Sequence, residues 1–519
     1  MRKIILTLIA SAIITGCGGS NDNPQENVTK PSVEIVNETL VENKKISISP
    51  VVIPNNLNSF SWKQTCGTIN VLNDSDKEST SFIFTAPESF KDEQYCFKFN
   101  GVDSSGAVYT TEYNVSVIAP TLEIYLDHAS LPSLNQLMHM MSTHEENEER
   151  KRFVSWARLS IDEQYILEKL NIEMIPLSGN NTSPKLIEML ETEILSVNRL
   201  NVELFSNTLH SMPNLKPIIN KISDLNENVT IKKIRLYDDG SADYVNLYNW
   251  KNTPNKIQNL EDDIEVTKDY LSGKSDKAPY YIHARYNWHK LYETEYLFLR
   301  PDYFSLEKDL NDMMNYLGSS LTASDWDRFN TLSEESKEMF LQVVGFDKKS
   351  IDDQYNASPN DNFVFTGTTT WGDGNDKDFF AQQQVNVINN AINETSPLYL
   401  GKDYDLFFKG HPRGGEINDK IIASFDNMQN IPASVSFEIL MMTNSLPDKV
   451  AGIASSLYFT IPNENVGFIV FTSSDSVTDK EEAMKSPLVQ VMLKLGIVKE
   501  DTVLFWSDLP NCSTGICIK

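Results

Sequence analysis

The chain has 519 residues, of which 40% are hydrophobic, so it is long enough for two or three domains with buried cores. Its formal net charge of −27 argues against a nucleic-acid partner, because binding to phosphates requires a basic face. Against this acidic background, a cluster of positive side chains stands out as a local site for an anionic ligand.

The N-terminus has the pattern of an export signal. Met1-Arg2-Lys3 is a charged segment, and the apolar run at 4–14 is too short to span a bilayer as a mature helix. The segment that ends in Cys17 resembles the lipobox of bacterial lipoproteins, and residues 18–30 look like a flexible tether. The alternative is an ordinary signal peptide with a nearby cysteine. The lipobox predicts lipidation of Cys17 and an exported protein anchored to a membrane, at the periplasm or the cell surface.

Residues 31–120 predict an all-β domain. Short apolar runs alternate with clusters of Pro, Asn, Asp, Ser and Gly, which is typical of an immunoglobulin-like β-sandwich. The predicted strands are 33–35, 46–53, 60–64, 81–85, 95–99 and 113–118. We expect no chemistry in this domain, and its predicted role is that of a spacer or binding module.

Four cysteines remain besides Cys17, and an even number in an exported chain predicts disulfides. By sequence position we pair Cys66 with Cys96 and Cys512 with Cys517. Because the second pair would close only a small loop, we expect its disulfide to be either easily reduced or absent. No Cys–His spacing indicates a zinc site.

From residue 120 onward, strand and helix patterns alternate, which predicts a doubly wound α/β fold. The first half has predicted strands at 122–126, 153–156, 200–205 and 231–237, and helices at 131–141 and 184–197. Residues 280–350 are predicted to be mostly helical. The second half has predicted strands at 362–366, 404–408 and 467–472, and helices at 379–392, 436–442 and 484–495. Two α/β lobes are therefore expected, and a cleft between such lobes is a common ligand site.

Three loops near predicted strand ends carry candidate chemistry. Lys409–Gly415 crowds two cations and a histidine at a place where α/β sheets bind ligands, although a basic surface turn has the same composition. Asp238 and Asp239 follow another strand; neighbouring carboxylates suit general-base work, although Asp-Asp-Gly is also a common turn. Ser455 and Ser456 are able to bind phosphate or simply to cap a helix.

The remaining sequence lacks the common catalytic and nucleotide signatures. It has no P-loop, no dinucleotide fingerprint, no His-Glu-x-x-His and no Gly-x-Ser-x-Gly. The three candidate loops divide between the lobes: one predicted lobe presents carboxylates, and the other presents cations and hydroxyls. This division suits the transfer of a sugar from an anionic nucleotide to an acceptor hydroxyl.

Seven motifs occur in one order along the two lobes. They are Tyr237–Ser241, Phe365–Trp371, Ala381–Gln384, Phe408–Asp419, Ile431–Ala433, Ser436–Glu438 and Ala454–Phe459. Together they resemble the bacterial sialyltransferases of the Pasteurella and marine Photobacterium and Vibrio type, from about residue 121 to the C-terminus. The resemblance implies an α/β fold of the GT-B type, with two Rossmann-like domains after the immunoglobulin-like domain. It places an acceptor-side domain at 121–285 plus 477–519 and a domain that binds CMP-sialic acid at 286–476.

The resemblance also implies a reaction. Sialic acid moves from CMP-sialic acid to a terminal galactoside such as lactose, with inversion and without a metal or other cofactor. Asp239 matches the general base, and His411 matches the general acid or electrostatic partner of the departing phosphate. Donor positions are matched by Lys409, Pro412, Glu438, Ser455, Ser456 and Thr366. Positions in the acceptor or substrate cleft are matched by Trp371, Arg158, Asn180 and His210.

Three alternatives stay open at this point, and the nearest is a glycosyltransferase that uses a different nucleotide. Overall similarity favours the marine α2,6 enzymes, and an α2,3 linkage is the alternative. The rival from another class is a periplasmic-binding-type lipoprotein whose two α/β lobes hold a sugar without turnover.

Overall fold

A computed structural model describes residues 33–144, 150–177, 182–225, 228–369, 376–396, 398–401, 404–472, 479–513 and 516–518. The predicted signal segment, Cys17 and the tether lie outside these residues. Within these ranges, no helix combines the length and apolar character needed to cross a membrane.

The N-terminal unit, which ends at Ile118, is the predicted all-β domain. Its elements are β1 (Val33–Val41), β2 (Lys45–Ile48), β3 (Leu57–Cys66), α1 (Asp74–Lys77), β4 (Phe82–Thr85), β5 (Glu93–Asp103) and β6 (Val108–Ile118). A four-stranded sheet in the order β1-β6-β5-β3 shares one core with the β2-β4 pair. Trp62 is buried in that core between Phe82 and Phe99. The predicted Cys66–Cys96 disulfide is confirmed.

The first α/β lobe is built on a parallel seven-stranded sheet, in the order β13-β12-β11-β10-β7-β8-β9. Its strands are β7 (Thr121–Asp127), β8 (Arg150–Trp156), β9 (Ile172–Met174), β10 (Leu200–Asn207), β11 (Val229–Tyr237), β12 (Thr294–Phe298) and β13 (Leu321–Ala323). Its helices begin with α2 (Ser130–Thr143), α3 (Gln164–Lys169), α4 (Pro184–Ser196), α5 (Ser211–Leu225) and α6 (Ser241–Trp250). They continue with α7 (Lys256–Asp262), α8 (Ile264–Leu271), α9 (Tyr281–Tyr286), α10 (Trp288–Leu291), α11 (Tyr303–Leu306), α12 (Asn311–Leu317), α13 (Arg328–Thr331) and α14 (Glu334–Val343). Helices cover the sheet, which explains why central strands such as β7 are almost continuously buried.

The second α/β lobe has a parallel six-stranded sheet, in the order β16-β15-β14-β17-β18-β19. Its elements are α15 (Lys348–Tyr355), β14 (Asp361–Thr366), α16 (Lys377–Ile392), β15 (Tyr404–Lys409), α17 (Glu416–Ile422), β16 (Gln429–Ile431), α18 (Phe437–Met442), β17 (Lys449–Ile453), β18 (Val466–Phe471), α19 (Lys480–Lys485), α20 (Pro487–Lys494) and β19 (Val503–Phe505). A final antiparallel pair, β20 (Asn511–Ser513) and β21 (Ile516–Ile518), sets Cys512 opposite Cys517.

The division between the two sheets differs from the predicted domain boundaries. β12 and β13 continue the first sheet to Ala323, beyond the predicted boundary at residue 285. They escaped prediction because β13 has only three residues and both strands lie in a stretch dominated by helices. The C-terminal segment predicted to return to the first lobe is shared between the lobes. α20 packs against α6 of the first lobe, whereas β19 is the edge strand of the second sheet.

Candidate active site

The loop after β11 holds the paired carboxylates in two different environments. Asp238 is 2% exposed, and its carboxylate accepts hydrogen bonds from the hydroxyl of Tyr244 and, at 2.7 Å, from the backbone N–H of Leu299. Asp238 is therefore committed to holding the loop. Gly240 follows with φ of +68°, a left-handed conformation that favours glycine, and α6 starts directly after it.

Asp239 is the carboxylate of the pair that remains available for chemistry. Its backbone N–H donates to Asp243 Oδ2 at 2.7 Å, whereas its own side chain is only partly buried. Burial, and then the charge of Asp243, raise the pKa of Asp239 to about 7, and Arg158 opposes this shift. A carboxyl with this pKa is well matched to general-base catalysis near neutral pH.

A buried polar network lines the first lobe beside this base. Asp127, at the end of β7, accepts a hydrogen bond from Asn207 Nδ2 at 2.8 Å. Asn207 Oδ1 in turn accepts from the backbone N–H of His210 at 2.7 Å. Burial raises the pKa of Asp127 to about 7, and the charge of Asp239 contributes to the shift. The predicted cleft residue His210 is therefore held in the same network of loops as the base, and burial, followed by the charge of Arg285, lowers its pKa.

Lys409 ends β15 and forms the floor of the basic loop. It is 6% exposed, and its Nζ donates to the carbonyl oxygens of Gly410, at 3.0 Å, and Ala433, at 3.1 Å. Burial lowers the pKa of Lys409 to about 8, and Glu438, in the first turn of α18, opposes the shift. A cation held at low exposure acts on a nearby anion through a weakly screened field.

His411 has a defined proton arrangement. Its Nδ1 accepts a hydrogen bond from the backbone N–H of Arg413 at 3.1 Å, so the proton of the neutral ring is on Nε2. Burial lowers the pKa of His411, and the charges of Lys409, Arg413 and Arg158 lower it further. The ring is therefore a neutral Nε2–H donor until an anion approaches.

The tight turn around His411 depends on two glycines. Asn418 Nδ2 donates to the carbonyl of His411 at 2.9 Å, and its amide group lies under the loop. A Cβ on Gly410 would lie 2.4 Å from Asn418 Cγ, and one on Gly414 would lie 2.2 Å from Asn418 Oδ1. Both positions require glycine because the asparagine approaches so closely.

The base loop and the serine turn meet between the two lobes. A Cβ on Gly240 would lie 3.5 Å from Ser456 Cβ, and the ring of Tyr244 stacks on Phe459 at 5.2 Å. Arg158 lowers the pKa of the Asp239 carboxyl and also that of His411. The structure therefore gathers the predicted base, histidine and arginine around one cleft.

The other predicted donor residues differ in their exposure. Ser455 Oγ accepts a hydrogen bond from the backbone N–H of Leu457, which caps the following turn, and Ser456 is exposed. Pro412 is exposed at the tip of the basic loop. Glu438 is partly buried near Lys409.

Thr366 differs from these residues because its hydroxyl is used inside the fold. It is 1% exposed, and its Oγ1 lies 2.8 Å from the hydroxyl of Tyr458 and donates to the carbonyl of Ala451. The geometry gives Thr366 a packing role and does not support direct contact with a ligand. The predicted cleft residues Trp371 and Asn180 lie outside the described residues.

One group of side chains among the described residues has the spacing of a metal site. Ligand atoms of Glu123, His139 and Glu203 lie within 4.8 Å of one another. Arg150 pairs with both carboxylates, and Arg152 pairs with Glu123. These ion pairs neutralise the carboxylates, so the group fits a structural charge network better than a cation site.

Comparison with known proteins identifies the family. The family described as Sialyltransferase PMO188 matches residues 122–500. The chain belongs to this family. It is therefore a sialyltransferase, and the alternative of a sugar-binding lipoprotein without turnover has no support. Residues 36–117 match a second family, described as a PKD domain, which agrees with the predicted immunoglobulin-like domain.

Solved structures of Photobacterium enzymes resemble the sialyltransferase over most of its length. A sialyltransferase from Photobacterium damsela is 56% identical, with a TM-score of 0.88, and the match covers 91% of this chain and 99% of that one. A 2,6-sialyltransferase from Photobacterium sp. JT-ISH-224, in a ternary complex with the donor product CMP and the acceptor substrate lactose, is 48% identical. Its TM-score is 0.78, and the match covers 95% and 100% of the two chains.

A more distant enzyme is an α/β-galactoside α2,3-sialyltransferase from Photobacterium phosphoreum, 32% identical with a TM-score of 0.64, covering 75% and 100% of the two chains. A separate structure of the GT-B domain from Photobacterium damselae is 59% identical, which confirms the predicted GT-B fold. No curated protein matches the chain.

Proposed function

We propose that the sialyltransferase moves sialic acid from CMP-sialic acid to a hydroxyl of a terminal galactoside such as lactose. The observation that carries the proposal is the position of Asp239. It is a partly buried carboxyl with a pKa of about 7, in the loop whose Gly240 abuts Ser456 of the other lobe. The complex of the related 2,6-enzyme with CMP and lactose supports the same pair of substrates.

In the proposed reaction, Asp239 removes the proton from the acceptor hydroxyl as its oxygen attacks C2 of sialic acid. The bond from C2 to the phosphate oxygen breaks in the same step, and its electron pair leaves with CMP. A single direct displacement inverts the anomeric centre. The proton ends on Asp239, and the Nε2–H of His411 donates to the oxygen on which charge develops.

The donor phosphate would be held by groups of the second lobe. Lys409, His411 and Arg413 supply donors and positive charge, and the loop is pre-organised because Asn418 packs beneath it. Ser455 and Ser456 present hydroxyls and backbone N–H groups at the start of a short turn. We propose that these groups neutralise the phosphate without a metal or other cofactor. If sialyl transfer stopped after treatment with EDTA and returned when a divalent cation was added, the proposal that no metal is needed would be contradicted.

We further propose that the product linkage is α2,6. The supporting observation is the higher identity to the 2,6-enzyme, 48%, than to the α2,3-enzyme, 32%. Incubation with CMP-sialic acid and lactose, followed by nuclear magnetic resonance of the trisaccharide, tests both proposals. We expect sialyl-α2,6-lactose from the wild type and almost none from Asp239→Asn. An α2,3 product would overturn the linkage alone, whereas release of CMP without any sialylated sugar would overturn the acceptor.

The location of the enzyme is a separate proposal. The sequence around Cys17 supports an exported lipoprotein anchored to a membrane. Expression of the full chain in a bacterial host and mass spectrometry of its N-terminal peptide test this directly. We expect a diacylglyceryl-modified Cys17 in the membrane fraction and a soluble, unmodified protein from Cys17→Ser. Cleavage elsewhere, without lipid, would support the ordinary signal peptide.

A further inference from the structure

A cavity of about 430 Å³ opens at the carboxyl ends of β8 and β9 in the first lobe. Its walls combine the polar residues Arg158 and Ser160 with apolar side chains that supply slightly more of the lining, namely Trp156, Ala157, Leu159, Met174, Ile175 and Pro176. The indole N–H of Trp156 is already used, since it donates to Gln136 Oε1 at 2.6 Å. The tryptophan therefore offers the cavity a ring surface and no free donor.

One side chain relates the cavity to the active-site groups. Arg158 lines the cavity, and its charge also reaches both Asp239 and His411. In the sheet order, β8 lies three strands from β11, which precedes Asp239. At about 4.8 Å between strands, this separation is roughly 14 Å. One pyranose ring and the substituent on its anomeric carbon together cover such a span.

The lobe that forms the cavity indicates which substrate enters it. All the residues that line it belong to the first lobe, which carries the base that takes the acceptor proton. The groups proposed to hold the donor nucleotide lie on the second lobe. The cavity therefore adjoins the acceptor, and its apolar side chains suit a group with few hydrogen-bonding atoms.

We infer that this cavity binds the aglycone of the galactoside acceptor, and that an alkyl or aryl substituent on the anomeric oxygen is preferred there to a hydroxyl-rich one. The inference rests on the proposed function of Asp239 as the base for a galactoside. It adds a second contact region that sets which galactosides are used best. Removing the apolar substituent from water supplies the binding free energy, which grows with the apolar area buried.

The test compares acceptors that differ only in the aglycone. KM is measured for methyl, butyl and phenyl β-D-galactosides with saturating CMP-sialic acid. We expect KM for the butyl and phenyl compounds to be about tenfold below that for the methyl compound, which corresponds to about 1.4 kcal/mol.

Two variants alter the cavity in different ways. Met174→Gln replaces an apolar wall with a polar one of similar length, and Ala157→Phe, at an exposed position that lines the cavity, fills part of it. Both should reduce the tenfold preference to less than about threefold and leave KM for the methyl compound nearly unchanged. The control is Met314→Gln, the same substitution at an exposed methionine of α12 outside the cavity, which should keep the full preference.

Each other outcome has a defined meaning. A wild-type KM that does not depend on the aglycone, or a preference that survives in both cavity variants, overturns the inference and leaves lactose transfer intact. A change confined to KM for CMP-sialic acid also overturns it, because the cavity would then hold part of the donor sugar. Failure to sialylate lactose and every other galactoside removes the proposed function, and this inference with it.

Discussion

The environment of Asp239 predicts how the activity falls at low pH, which we call the acidic limb of the pH–activity profile. An unperturbed carboxyl with a pKa near 3.8 would be ionised throughout the pH range 5–8. In this structure burial and Asp243 raise the pKa of Asp239 to about 7, so only about a tenth of the base is ionised at pH 6. We therefore expect kcat/KM for lactose to fall about tenfold for each pH unit below 7.

The assay is the initial rate of sialyllactose formation between pH 5 and pH 8.5. Because kcat/KM reports groups of the free enzyme, the profile reads the pKa of the unliganded site. Asp243→Asn removes a charge that raises the pKa of Asp239 and should move the limb to lower pH. Arg158→Leu removes the opposing charge and should move it to higher pH. A flat wild-type profile from pH 5 to 8 would refute the reasoning, as would a limb that neither variant moves.

Three further predictions concern other parts of the site and fold. His411→Ala removes the Nε2–H donor and should lower kcat by about 10²–10³-fold, while the decline in activity at low pH stays in place. Loss of that decline in the variant would assign the ionisation to the histidine. Tyr244→Phe keeps the stack on Phe459 but leaves Asp238 without its hydroxyl donor. The free energy of unfolding, measured by thermal denaturation, should fall by about 1–3 kcal/mol. An unchanged midpoint would show that this hydrogen bond does not hold the loop. Cys96→Ser opens the Cys66–Cys96 loop, whose ends are 30 residues apart, and should destabilise the N-terminal domain by about 3–4 kcal/mol. Sialyl transfer to lactose should be retained. Calorimetry and the rate assay check these two expectations, and loss of transfer in a protein that stays folded would contradict the second.

Two central strands of the second sheet could be predicted from sequence because burial on both faces leaves a short continuous apolar run. These strands are β14 and β15, whereas β7, β10 and β11 are indicated by apolar residues separated by polar ones such as Glu123, Glu203 and Lys233. α5 was missed because Pro217 lies inside the helix and argues against one. The single helix predicted at 484–495 is two helices, since Ser486 caps α20 and Pro487 begins it.

Some residues of the candidate site could likewise be predicted from the sequence, and others could not. Asp239, Lys409 and His411 stand out in the sequence because their residue types and neighbours are unusual, and the structure brings them to one cleft. Asp127 and Asp243 did not stand out, because their influence comes from burial and from contacts that only the fold creates. The burial of Thr366 could not be read from its motif for the same reason.

The packing of α20 against α6 has a consequence for how the enzyme is made. α6 starts at the base loop, and Arg300 of the first lobe donates to the carbonyl of Leu495, at the end of α20, at 3.2 Å. During synthesis the strands of the first sheet are complete once Ala323 has emerged from the ribosome, yet the helix beside the base gains its last support only from residues near the C-terminus. We expect a chain cut short before α20 to contain both sheets in large part and still lack activity, so activity requires that translation has passed α20.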